Sequence, residues 1–175
     1  APERASDGYV ATLFDRFAAD FDDQLTGELE YQAPTILAET AKENFPAANG
    51  DLEILDLGCG TGLSGLAIKD LGKRIDGVDL SGEMLKLARK RQIYKTLTKS
   101  EVVAYLHKTR RSYDLVLGAD VFVYFGLLDE LFTSVVGVLK PRGLVIFSLE
   151  AYQETGFELT ASGRDAHGRA YVRAT

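Results

Sequence analysis

The chain has 175 residues, of which 46% are hydrophobic and 26% charged, and its 20 Lys and Arg against 26 Asp and Glu give a net charge of −6. These proportions exclude a mainly disordered, collagen-like or repeat-built chain and fit one domain with a small appendage. The acidic balance argues against nucleic acid or an anionic membrane as partner, no apolar run approaches the ~20 residues of a membrane span, and a lone cysteine, Cys59, leaves no internal disulfide and no zinc cluster.

After a polar tail over residues 1–8, Tyr9, Leu13, Phe17 and Phe21 recur every four residues with Val10 and Phe14 beside them, which predicts a helix with an aromatic face. Gly27 interrupts it. Pro34 suits the first turn of a second helix carrying Ile36, Leu37 and Ala41, and Phe45-Pro46 and Asn49-Gly50 mark a break. Residues 1–50 therefore read as a helical lid, and residues 51–175 as the main body of the same single domain. Leu52, Ile54, Leu55 and Leu57 form a buried strand signal, followed by a Gly-rich turn and a helix over about 63–71. A second strand lies within 74–80. Ser81 then has the position of a helix N-cap, with Leu80 and Leu85 as a hydrophobic staple across it and Arg89, Lys90 and Arg91 at the favourable C-terminal end. The Lys86, Arg89, Lys90, Arg91 cluster reads as a solvated face.

Residues 97–103 read as a third strand running into a helix over about 103–108. Residues 113–118 form a fourth strand, 127–139 an amphipathic helix, 140–143 a turn and 144–149 a fifth strand. Such alternation predicts an α/β fold, a Rossmann-like, doubly wound, mostly parallel sheet with helices on both faces. Its ligand site belongs at the carboxyl ends of the strands, near the topological switch point.

Two patterns overlap in the turn DLGCGTGLSG of residues 56–65. Gly60, Gly62 and Gly65, with Asp79 nineteen positions after Gly60, match a dinucleotide fingerprint and would make the protein an NAD-binding oxidoreductase. Asp56, Gly58, Gly60 and Gly62 match an acidic-glycine pattern instead. Both need backbone without a Cβ, so that the chain turns sharply and a ligand approaches closely. A dinucleotide brings a pyrophosphate, beside which Asp56 is awkward. S-adenosylmethionine brings an ammonium and a sulfonium, beside which Asp56 is acceptable, and this favours the second pattern.

The segments ILDLGCGTG (54–62), VDLSGEML (78–85), YDLVLGAD (113–120) and LKPRGLVIF (139–147) together resemble the class I S-adenosylmethionine-dependent methyltransferases. The flanks YVATLFDRFA (9–18) and TASGRDAH (160–167) resemble a bacterial subgroup sometimes fused to tetratricopeptide repeats. The resemblance implies S-adenosylmethionine as cofactor, S-adenosylhomocysteine as product, and in-line transfer of a methyl group to a small-molecule or protein acceptor. It implies that Gly58, Cys59, Gly60 and Gly62 wrap the methionine part of the cofactor and that Asp56 lies near its amino group, unless Asp56 only braces the loop. Asp79 would take the ribose hydroxyls, Leu80 and Met84 would flank the adenine, and Glu101 would stand where the family places an Asp on the adenine amino group. Met84 serves equally well as core. Ala119 and Asp120 would border the sulfonium, and Tyr9, Phe17, Asp120, Tyr124, Glu150 and His167 are candidate acceptor contacts.

No His/Asp pair stands out as a general base, and the catalytic residues stay open. A cofactor-binding module without turnover, acting through partners, is the alternative to an enzyme. Relatives continue past the fifth strand into an antiparallel hairpin, whereas only 26 residues follow Leu149. The last strands are expected to be missing from a truncated C-terminus, leaving a sheet edge through which the chain could dimerise. No charged-then-apolar leader opens the sequence, so the cytoplasm is the expected compartment.

Overall fold

The computed structural model describes residues 6–18 and 31–175. Phe21 and Gly27, invoked above for the end of the first helix, lie outside the described residues. Helix α1 covers Asp7–Phe17 and is capped by Ser6, whose side chain accepts the Tyr9 amide. Helix α2 covers Ala33–Asn44 with Pro34 in its first turn, where a missing amide hydrogen costs nothing. The central order follows as β1 (Leu52–Leu57), α3 (Leu63–Ile68), β2 (Gly72–Asp79), α4 (Gly82–Lys90), β3 (Thr96–Lys99), α5 (Val102–Lys108), β4 (Tyr113–Gly118), α6 (Asp129–Val138) and β5 (Leu139–Phe147). Short 3-10 turns cover Lys69–Leu71 and Phe122–Tyr124.

The five strands form one parallel sheet in the order β3-β2-β1-β4-β5. The order reverses between β1 and β4, so a crevice opens there at the carboxyl ends of the strands. Alternation along β1 sends Leu55 and Leu57 to one face, where they meet Val103, Leu106, Leu131 and Val135 of α5 and α6. Ile54 goes to the other face, with Leu37, Ala41 and Ile68 of α2 and α3. The doubly wound reading of the sequence holds, because both faces of the central strands are apolar and each needs a covering helix.

Three local expectations shift. The third strand covers Thr96–Lys99 instead of 97–103, because Glu101 leaves the sheet to cap α5. The expected turn at 140–143 lies inside β5, which starts at Leu139 and absorbs the turn residues as a register irregularity against β4. The expected solvated cluster loses Arg91, whose Nε donates to the Thr61 carbonyl at 2.6 Å.

Beyond β5 the chain builds a separate small sheet. It contains β6 (Glu150–Tyr152), β7 (Phe157–Leu159) and β8 (Asp165–Gly168), in the order β6-β8-β7, followed by α7 (Arg169–Ala174). Among the described residues no further strand joins β5, which stands at the edge of the large sheet. No helix among them is long and apolar enough to cross a membrane.

Ser81 carries the link between β2 and α4. Its hydroxyl accepts the Met84 amide at 3.1 Å and donates to Asp15 of α1, so one side chain caps α4 and fastens α1 to it. Ser81→Ala is expected to lower stability by about 1 kcal/mol or somewhat more, read as a shift in the urea midpoint at unchanged slope.

Candidate active site

β1, β2 and β4 end side by side, and the residues that follow them line one cavity of about 190 Å³. Residues 58–61 come from the turn after β1, Asp79 and Leu80 from the end of β2, and residues 119–121 from the end of β4. Asp7, Val10 and Phe14 of α1, Leu63 and Ser64 of α3, Tyr31, Glu101, Val102, Tyr124, Phe125 and Arg164 complete the wall.

The turn after β1 is held in a conformation that L side chains rarely adopt, with φ of +60° at Gly58, +52° at Gly60 and +91° at Gly62. A Cβ on Gly58 would also lie 2.6 Å from Cγ2 of Val121. The Gly62 amide closes the turn on the Cys59 carbonyl at 2.8 Å, and the Cys59 amide reaches the Val78 carbonyl of β2 at 3.0 Å. The Gly60 amide donates to Asp79 Oδ2 at 2.8 Å, while Asp79 Oδ1 accepts the Ser81 amide at 2.8 Å. A carboxylate offers about four acceptor positions, and the Gly60, Ser81 and Leu80 amides take up three of them, so some acceptor capacity remains for a ligand. Burial is the largest influence on Asp79 and raises its pKa; the amides on it act the other way. Burial likewise pushes the Cys59 thiol up, which keeps it neutral and leaves it a small apolar part of the wall.

Asp56 lies behind the glycine turn. It follows Ile54 by two positions, so its side chain goes to the α3 face of the sheet, beneath the turn, and it is absent from the cavity wall. Its Oδ2 accepts the Tyr94 hydroxyl at 2.7 Å, and Oδ1 is buried with no partner among the described residues. Burial pushes its pKa up to about 7, against the lowering effect of Tyr94. Gly62 also leaves the wall: the space a side chain would need there is filled by Arg91 and Tyr94.

Several other expected contacts move. Met84 is fully buried in the core and does not reach the cavity, because Ser81 fixes α4 with that face inward. Glu101 lines the cavity, but its oxygens accept the Val103 and Ala104 amides at 3.0 and 2.7 Å as the cap of α5. Tyr9 and Phe17 are 53% and 46% exposed; α1 presents Asp7, Val10 and Phe14 to the cavity, a face rotated from the aromatic stripe. Glu150 stands behind the wall, with Oε2 3.4 Å from Arg164 Nε. His167 is buried with Nε2 2.8 Å from the Phe125 carbonyl and 3.1 Å from that of Gly126, so it donates there and pins this stretch from outside the cavity.

Asp120 and Tyr124 do line the cavity, as does Ala119. The Asp120 amide donates to Ser148 Oγ at 2.8 Å, and its Oδ1 accepts that hydroxyl at 3.0 Å and Arg164 Nη2 at 3.1 Å. Tyr31 also bonds to Asp120; burial first, and then this carboxylate, pushes its phenol up. Tyr124 stands edge-on to Phe14, with centroids 5.9 Å apart. Asp7, Tyr31 and Phe125 enter the wall with no motif to announce them.

Residues 54–143 match the family described as methyltransferase domain. The chain is 27% identical over 112 residues to a ubiquinone biosynthesis O-methyltransferase of Shewanella halifaxensis, covering 59% of this chain and 48% of that protein. It is 30% identical over 160 residues to the bifunctional biotin biosynthesis protein BioHC of Saccharophagus degradans, covering 90% of this chain and 27% of that protein. The chain thus spans less than half the length of these curated relatives. The fold is similar to that of magnesium protoporphyrin IX methyltransferase from Synechocystis PCC 6803, solved with S-adenosylmethionine bound. The TM-score is 0.74 at 15% identity, over 99% of this chain and 86% of that one.

Gly58→Ala meets both a left-handed backbone and the Val121 side chain. It is expected to cost about 1–3 kcal/mol of stability by overpacking, checked by thermal or urea unfolding of the free chain.

Proposed function

The chain belongs to the methyltransferase-domain family, and from that premise we propose that its cavity binds S-adenosylmethionine and that the domain transfers the methyl group to a small organic acceptor. The single observation that carries this reading is the meeting of the bare-backbone turn with Asp79, which still has acceptor capacity toward the cavity. The wall fits the cofactor. Gly58 and Gly60 let a ligand lie against the main chain, and the acids Asp7, Asp79, Glu101 and Asp120 suit a ligand that carries positive charge. When bound, S-adenosylmethionine supplies a methyl group already activated on a sulfonium, so that in-line displacement needs no nucleophile from the protein.

The chain's own residues then have three tasks. Asp79 accepts the ribose hydroxyls with the acceptor capacity its three backbone amides leave, and Leu80 and Val102 offer apolar surface to the base. Ala119 leaves room at the end of β4, while Asp120, held by Ser148 and Arg164, keeps a polar group at that point of the wall. Phe14, Tyr31, Tyr124 and Phe125 give the acceptor end an aromatic lining that holds a flat or apolar acceptor and excludes water. In this reading α1 is the lid, since it contributes Asp7, Val10 and Phe14 and is fastened to Ser81. Among the described lining residues there is no histidine, and the phenols of Tyr31 and Tyr124 are pushed up by burial. Positioning is therefore the main contribution of the site.

Calorimetry with S-adenosylhomocysteine and, separately, NAD tests the cofactor assignment; binding of the first alone is expected, and binding of NAD in its place overturns it. Asp79→Asn is expected to weaken S-adenosylhomocysteine by about 1.5–3 kcal/mol, roughly 10- to 100-fold, with the fold checked by circular dichroism. Transfer of a labelled methyl group to the small-molecule fraction of a lysate tests turnover. Cofactor binding without transfer would make the chain a binding module.

A further inference from the structure

The segment between α4 and β3 carries two side chains, Arg91 and Tyr94, that have no part in the proposed function, and both press on the glycine turn from the side away from the cavity. The Tyr94 hydroxyl donates to Asp56 Oδ2 at 2.7 Å, and Arg91 Nε donates to the Thr61 carbonyl at 2.6 Å. The Tyr94 ring occupies space vacated by glycines of three elements. A Cβ on Gly65 of α3 would stand 2.3 Å from the Tyr94 hydroxyl. One on Gly62 would stand 3.0 Å from Cε2, and one on Gly77 of β2 3.0 Å from Cδ1. Gly65, the third glycine of the dinucleotide reading, thus makes room for a tyrosine. The remaining oxygen of Asp56, Oδ1, is buried and has no partner among the described residues.

We infer that Tyr94 is a positioning residue for the cofactor turn: its ring, with Arg91, clamps the turn from behind, and its hydroxyl fixes the Asp56 carboxylate beneath the turn. The inference rests on the reading that the cavity binds S-adenosylmethionine. Asp56 is faced by Tyr94 from the α4–β3 segment, Asp79 from β2, the Gly65 amide from α3, Cys59 from the turn itself and Tyr31 from the chain before α2. Arg91 acts on it through Tyr94. Of these, Tyr94 and the Gly65 amide favour the charged form, and Asp79 opposes it.

A ligand ammonium above the turn also favours the charged form. Affinity for such a ligand therefore rises as pH passes upward through the free protein's Asp56 value of about 7, and it levels off above it. Removing the Tyr94 hydroxyl takes away a lowering influence, so the same rise moves to higher pH.

Tyr94→Phe keeps the ring and removes only the hydroxyl. With S-adenosylhomocysteine as the probe, calorimetry from about pH 6 to about pH 8 is expected to show wild-type affinity rising across the range and the variant curve displaced to higher pH. At neutral pH the loss is expected to be about 2- to 10-fold, the size of one hydrogen bond. Asp56→Asn removes the titration and is expected to flatten the curve. In the free chain, amide hydrogen exchange at Gly60, Thr61 and Gly62 is expected to be faster in Tyr94→Phe than in the wild type. The same pH midpoint for wild type and Tyr94→Phe overturns the inference, as does unchanged exchange at those amides. If the wild type fails to bind S-adenosylhomocysteine at any pH, the cofactor reading falls. The exchange result then still decides the clamp: faster exchange sustains it and unchanged exchange removes it.

Discussion

The hydrogen bond from the Gly60 amide to Asp79 Oδ2, 2.8 Å long, joins the end of β1 to the end of β2. It holds open a turn whose residues have given up side chains to sit at positive φ. Glycine is free to adopt many conformations, so bonds such as this one select the turn's shape. The second oxygen of the same carboxylate orders Ser81. Ser81 caps α4 and fastens α1. A single buried acid thereby aligns the floor of the cavity with the helix that walls it.

The charge pattern follows from the same arrangement. Acids converge where the strands end, since strand ends are the places where polar side chains can leave the apolar sheet and still reach solvent or a ligand. Their burial raises the energy of the charged forms of Asp56 and Asp79. A cationic ligand relieves that strain, whereas a pyrophosphate adds to it. Arg164, the cation of the cavity wall among its described residues, is already engaged by Asp120 and Glu150.

Much of this was legible beforehand where local chemistry dictates the outcome. β1 and β4 fall at 52–57 and 113–118, because a buried central strand leaves an unbroken apolar run. Ser81 was legible as a cap, and Asp79 as the acid at the end of β2. The face of α1 was not: Tyr9, Leu13 and Phe17 make the stronger stripe, yet Asp7, Val10 and Phe14 face the cavity. An exposed aromatic costs little, and the angle of the helix is set by Asp15 meeting Ser81 from another element. Met84 fell to the core side of its two readings for the same reason, being the residue that Ser81 caps. Glu101 matched an acidic position but spends both oxygens on its own helix.

By itself the amino-acid sequence determined the alternation of strands and helices, the glycine turn and the acid that follows the second strand. Each depends on neighbours a few residues away, through periodicity, capping or the lack of a Cβ. Only the tertiary structure decided that Tyr94 braces Asp56, that His167 pins the Phe125 and Gly126 carbonyls, and that Arg164 meets Asp120 and Glu150. Those partners are 38, 42, 41, 44 and 14 residues apart. Their meeting is set by how the helices and the small C-terminal sheet pack, and no local pattern encodes that.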